Sequence, residues 1–231
     1  MITLEVIATS LEDVRIAGAS GADRIELAVG LAEGALTPSI GFLEKVSNIA
    51  TIPVFVMIRP RDGVSIYSKE ELEIMMADAQ TVREIGLAGI VSGVLTSSQT
   101  INTEAMECIL SACSPLPVIF HRAFDQVKDP FKALEDIISL GPRMQRILTA
   151  GLKDLTVEGL PLIKQFVKIA GNRISIMPGT AITIENIREI VEKTCITDIH
   201  LGIGVRTPAS FAGVLDGKKI EQIKQILEEY K

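Results

Sequence analysis

Residues 118–125 read VIFHRAFD, an apolar run of Val118, Ile119 and Phe120 that ends in His121, Arg122 and Asp125. A second run, VFVMIRPR at 54–61, ends the same way in Arg59 and Arg61. Short apolar runs of this kind suit strands buried on both faces, as in parallel sheets. Ligands in such sheets gather at the carboxyl ends of the strands, where loops meet and helix N-termini point. Two runs ending in cationic and titratable groups therefore predict a parallel α/β sheet with a site at that end.

Similar runs recur along the chain. Strands are expected at 2–8, 23–28, 53–59, 89–92, 117–121, 146–149, 173–177 and 198–201. Between them lie segments with apolar residues every three or four positions, such as 69–86 and 130–141, which predict helices. Ser68 with Glu71 forms a capping-box pattern, and Asp129–Pro130 an N-cap with proline at the first helical position. Gly86, Gly141 and Gly171 follow helices where a left-handed residue is expected. Eight βα units over residues 1–231 predict a single-domain (β/α)8 TIM barrel, with a doubly wound open sheet as the alternative.

Composition narrows the partners. Apolar residues make up 47% of the chain, and 23 basic against 29 acidic residues give a net charge of −6. A negative chain without tryptophan does not suit nucleic acid. No run reaches the roughly 20 apolar residues of a membrane span, and the start, MITLEVIATS, lacks the pattern of a signal peptide. The three cysteines, Cys108, Cys113 and Cys195, form no CxxC pair, so a reduced, cytoplasmic setting is expected.

Strand parity collects the polar groups. With Leu4, Val6, Ile25, Leu27, Val54, Val56 and Ile58 facing the helices, Glu5, Glu26, Phe55, Met57 and Arg59 face the barrel interior. The same alternation assigns Ser92, His121, Thr149, Met177 and His200 to the interior.

Glu5 and Glu26 on neighbouring strands suit general acid and base, or are held charged by Arg59. Arg59 and Arg61 flank Pro60 and suit an anionic ligand, or act as rim ion pairs. His121 and His200 are the two histidines of the chain; each serves chemistry or structure. Asp125 either orients His121 or caps the next helix. The stretches PGTAIT (178–183, with Gly179) and GIGVRT (202–207) follow strands seven and eight, where barrels often bind phosphate, and read equally as ordinary loops. The expected ligand contacts are thus Arg59, Arg61, Arg122, Ser92, Thr149, Gly179 and His200, and the expected catalytic groups Glu5, Glu26, His121 and Asp125. Cysteines placed away from the cavity disfavour a soft-metal site; a harder metal on Glu26, His121 and Asp125 stays open.

The segments GADRIEL (21–27), LTPS (36–39), MIRPR (57–61), YSKEE (67–71), PLPVIFHRAFD (115–125), RILTAG (146–151) and EGLPLIK (158–164) run in one order over nearly the whole chain. In this the chain resembles the CutC copper-homeostasis family. The resemblance implies a TIM barrel, a cytoplasmic role in copper tolerance and copper as a ligand. Glu5, Glu26, Arg59, Arg61, His121, Arg122 and Asp125 match that family's pattern. The chain departs from it at Ala28 and Ile66, where relatives carry cysteine, and in the loops PGTAIT and LGIG. The expectation is a cavity for a small anionic ligand with acid–base chemistry. The alternatives are copper binding or buffering without turnover, and a non-catalytic interaction barrel. A homo-oligomer is expected.

Overall fold

The computed structural model describes residues 2–230. Its first half runs β1 (Thr3–Ala8), α1 (Leu11–Ala19), β2 (Arg24–Leu27), α2 (Ile40–Ile49), β3 (Val54–Met57), α3 (Lys69–Ile85), β4 (Gly89–Ser92) and α4 (Thr103–Ala112). The second half continues through β5 (Val118–Phe120), α5 (Pro130–Ser139), β6 (Met144–Thr149), α6 (Thr156–Ala170), β7 (Ser175–Pro178), α7 (Ile187–Thr194) and β8 (Asp198–Leu201). A small hairpin, β9 (Arg206–Thr207) with β10 (Val214–Leu215), precedes the last helix, α8 (Gly217–Glu228). The hairpin has no counterpart in the sequence expectation, because two-residue strands leave no periodicity to read.

The eight long strands are parallel and ordered β7-β6-β5-β4-β3-β2-β1-β8. A parallel bridge between Gly179 and His200 joins the two ends, so the sheet closes into the expected barrel. A side chain at Gly179 does not fit this seam: its Cβ would fall 2.6 Å from Leu148 Cδ1 and 3.0 Å from His200 Cβ.

Local signals place the helices. Ser68 and Glu71 form the complete capping box of α3, and the Asp129 carboxylate accepts from the backbone N–H groups of Phe131 and Lys132 at the start of α5. Gly86 ends α3 in the left-handed conformation, as expected. Gly171 does not: its φ of 56° comes with a ψ of −128°, a conformation open to glycine but outside the left-handed helical region. Gly159 lets α6 press onto the end of β6, where an added Cβ would lie 1.9 Å from the Ala150 carbonyl oxygen.

The core has two layers. The outer one packs Leu4, Val6, Ile25, Leu27, Val54 and Val56 against helix residues such as Val14, Val46, Met75, Leu134 and Ile137. Each such aliphatic side chain contributes roughly 1.5–3 kcal/mol by leaving water. The inner layer fills the barrel with Ile7, Phe55, Met57, Val91, Ile119, Leu148 and Met177. That assignment corrects the sequence at two positions. Val91 and Leu148 face inward, so Ser92 and Thr149 face outward. In GIVS and RILT adjacent residues are both aliphatic, so alternation within the strand carries no signal.

Candidate functional site

The carboxyl ends of the strands surround a cavity of about 480 Å³. Glu26, Met57, Leu148 and His200 line it from inside the barrel, Arg59 and His121 from the ends of β3 and β5, and Arg122, Asp125, Lys153 and Asp154 from the loops.

At its base, strand register sets Glu5 beside both Arg24 and His200. Arg24 Nε donates to Glu5 Oε2 at 2.5 Å, and His200 Nδ1 lies 2.8 Å from Glu5 Oε1. Glu26 Oε2 stands 3.9 Å from His200 Nδ1 and has no hydrogen-bond partner, although it is buried. Beneath them Arg24 and Arg146 both donate to Asp198, and both guanidiniums lie against the Phe55 ring.

These contacts separate the two carboxylates chemically. Burial pushes Glu5 up, but the charges of Arg24 and His200 and their hydrogen bonds outweigh it, so Glu5 lies below the usual carboxylate range. Glu26 has no such direct donor. Burial raises it, and the Glu5 charge adds to this against His200 and Arg24, bringing it to about 7. Burial would lower His200, but the charges of Glu26 and Glu5 and the Glu5 hydrogen bond raise it above the ordinary histidine value. Two carboxylates with affinities pushed apart, one of them near neutrality, are the electrostatic layout of a proton-transfer site.

Arg59 and His121 form the upper wall. Arg59 is 9% exposed and spends Nη1 on the carbonyls of Glu33, Gly34 and Ala35 and Nη2 on that of Gly63. Carbonyls hold the guanidinium without neutralising it, so a full positive charge faces the cavity. The expected alternative, Arg59 holding Glu5 and Glu26, does not occur: Arg24, which the sequence expectation lacks, holds Glu5, and Glu26 has no ion-pair partner among the arginines. The signal for Arg24 was available: in DRIEL it shares the parity of Glu26. His121 Nδ1 accepts the Ala123 backbone N–H at 3.1 Å and thereby caps the turn Arg122–Gln126. A backbone N–H can only donate, so the ring proton resides on Nε2, which has no partner. Burial and then the Arg59 charge lower His121 to about 4, leaving a neutral imidazole.

Other expected residues have different tasks. Asp125 neither orients His121 nor caps α5. Its carboxylate accepts from Thr149 Oγ1, from the Ala150 and Leu152 backbone N–H groups and from Arg122 Nε, fixing the loop that carries Lys153 and Asp154 to the rim. Thr149 is committed to that network, and Ser92 Oγ donates to the Ile58 carbonyl; neither lines the cavity. Arg61 is paired with Glu71, donates to the Ile66 carbonyl and lies over the Tyr67 ring, also outside the cavity lining. Residues 178–183 and 202–207 are absent from the lining as well, and Arg206 is buried on Asp13.

The metal set Glu26, His121 and Asp125 is not brought together. Among the described residues the one cluster of three ligating side chains is Glu5, Glu26 and His200, with ligand atoms within 4.8 Å of one another. Its oxygen and nitrogen donors do not fit Cu(I), which takes thiolates and thioethers. Both oxygens of Glu5 are already bonded, to Arg24 and His200. Cys108 and Cys195 are exposed, Cys113 is buried, and none lines the cavity. No described helix is long and apolar enough to cross a membrane.

Comparison with known proteins gives one consistent answer. A family profile described as CutC family matches residues 2–205. The human copper homeostasis protein cutC homolog is 46% identical over 197 residues, which cover 85% of this chain and 71% of that protein. A family protein CutC of Vibrio campbellii is 41% identical over 219 residues, 94% of this chain and 88% of the relative. The crystal structure of a CutC protein from Streptococcus agalactiae superposes with a TM-score of 0.82 at 36% identity, covering 87% of this chain and 98% of that one. Phosphoribosyl anthranilate isomerase from Thermococcus kodakaraensis, at 14% identity and a TM-score of 0.64 over 98% of this chain and 99% of its own, shares the fold.

Proposed function

The chain belongs to the CutC family, and from that premise we propose that its role in copper homeostasis is exercised through a cavity that binds a small anionic ligand and moves protons on it. The observation that carries this reading is the uncompensated charge of Arg59 beside the unpartnered Nε2–H of His121. A buried cation satisfied only by carbonyls, next to a free donor, favours a ligand oxygen that brings negative charge. Glu26, near neutrality and without a donor, is the proton-exchanging group, with His200 and Glu5 behind it. His121 serves as a hydrogen-bond donor and not as a base, since one ring nitrogen is occupied and the other carries the proton. The reading includes a cytoplasmic setting, in keeping with three free cysteines. Copper binding without turnover has less support, because the soft donors are scattered.

A thermal-shift and calorimetric panel tests this on wild type, Arg59→Lys and His121→Ala. The probes are inorganic phosphate, pyruvate, dihydroxyacetone phosphate, Cu(I) and Zn(II). A ligand at about 100 times its Kd adds about 2.7 kcal/mol, a clearly visible shift. Stabilisation by an anion that weakens in both variants supports the reading. Stabilisation by copper alone, unchanged in both variants, rejects it.

A further inference from the structure

Resting on that reading, we propose that the cavity acts on small anionic carbonyl compounds, transferring a proton at the carbon next to the carbonyl with Glu26 as base and His121 as the donor to the enolate oxygen. The inference follows from what each lining group is free to do. Glu26 lines the cavity, and its Oε2 is buried and accepts nothing, so its carboxylate is uncommitted and available to a carbon-bound proton. His121 offers one N–H, on Nε2, and its ring is fixed by the Ala123 bond below and by Gly93 at its side. A neutral, rigid donor stabilises an oxygen on which negative charge develops, and costs little reorganisation when it does so. Arg59 supplies the charge that holds the ligand's phosphate or carboxylate.

Thiol and serine nucleophiles are not set up here. No thiol lines the cavity, and its one lining serine, Ser65, has no histidine or carboxylate hydrogen-bonded to its hydroxyl. Proton transfer needs neither. The C–H bond breaks as the proton passes to Glu26 Oε2, and its electron pair forms a C=C bond. The carbonyl π pair moves to oxygen, which receives the His121 N–H. Exchange of the Glu26 proton with solvent before it returns to the same carbon gives isotope exchange. Its delivery to the former carbonyl carbon of a hydroxycarbonyl, with the hydroxyl proton passing to the former carbonyl oxygen, gives isomerisation. Neither outcome requires an oxidant or a further reactant. Glu5, His200 and Arg24 surround Glu26 and hold the charge of the site steady while it accepts and releases the proton.

The test is proton NMR in D2O with pyruvate, oxaloacetate, dihydroxyacetone phosphate and ribulose 5-phosphate. Binding of each is measured in parallel on wild type and Arg59→Lys. At least one probe is expected to exchange its α-proton for deuterium, at least a hundred-fold faster than with Glu26→Gln, while that variant still binds it. His121→Ala is expected to lower kcat tenfold or more, beyond the loss of binding that it shares with Arg59→Lys. The wild-type rate should rise with pH through an apparent pKa near 7 as Glu26 ionises, a readout that does not depend on a variant folding. A probe that binds through Arg59 and shows no exchange overturns this inference and leaves the anion-binding reading standing. Exchange that survives Glu26→Gln also overturns it. Failure of every probe to bind removes both.

Discussion

His200 Nδ1 lies 2.8 Å from Glu5 Oε1, a bond between the last strand of the barrel and the first. The pair couples closure of the fold to the state of the site, because the same imidazole faces the unpartnered oxygen of Glu26. Glu5 is fully buried and carries Arg24 on its other oxygen. The carboxylate therefore holds Arg24 and His200 in place inside the barrel.

Replacement of Glu5 by Gln should be costly for that reason. Arg24 would keep Asp198 but lose its shortest contact, and breaking a buried pair from one side typically costs about 3–5 kcal/mol. Urea unfolding at pH 7 checks the loss. A change below about 1 kcal/mol would show that Arg24 relaxes wholly onto Asp198.

Stability should rise as pH falls from neutral toward 5 through the contribution of Glu26. Its folded value of about 7 exceeds the unfolded value of 4.5, so within that window the native state binds more protons. The slope reaches at most about 1.4 kcal/mol per pH unit. His200, also raised, adds stability with the same sign, lost as pH climbs through its folded value. His121, lowered to about 4, opposes both below pH 6.5 because the folded state resists its protonation. The difference between wild type and Glu26→Gln isolates the first effect. Unfolding curves at pH 5 and pH 8 should favour wild type more at pH 5.

Arg59 and Arg61 should behave differently despite standing two residues apart. Arg61→Ala removes a rim pair with Glu71, a capping-box member, and should leave anion affinity within about twofold. Arg59→Lys loses the planar fork that spans four carbonyls and should weaken the same anion tenfold or more. Calorimetric titration of phosphate or pyruvate into both variants decides the matter. Equal losses would contradict the assignment.

Gly93→Ala should impair the site without touching its lining. An added Cβ would fall 2.8 Å from His121 Cε1 and Nδ1, the atom that accepts the Ala123 N–H, so the ring must shift from its present position. Overpacking of this kind costs roughly 1–3 kcal/mol. The exchange rate should fall at least tenfold while Glu26-dependent pH behaviour persists. An unchanged rate would mean that the orientation of the His121 ring is immaterial.

The sequence by itself determined an α/β fold of eight strand–helix units and favoured a barrel over an open sheet; the bridge between Gly179 and His200 decided closure. It also placed Glu5, Glu26 and His200 in the interior, because aliphatic and polar residues alternate around them in LEV, RIEL and DIHL, and it put Arg59 and His121 at the carboxyl ends of wholly apolar strands. Only the tertiary structure decided which of these groups are paired and which are free. Pairing depends on register between strands distant in the chain, and Glu5 meets Arg24 and His200 through such contacts. Ser92 and Thr149 went astray because GIVS and RILT are aliphatic on both faces and carry no alternation. The task of Asp125 is not legible locally because its partners come from the loop after the neighbouring strand β6, some 25 residues further along the chain. The unmatched Glu26 oxygen and the free His121 N–H belong to cavity-lining residues that three-dimensional packing leaves without a partner, and no sequence pattern records a missing contact.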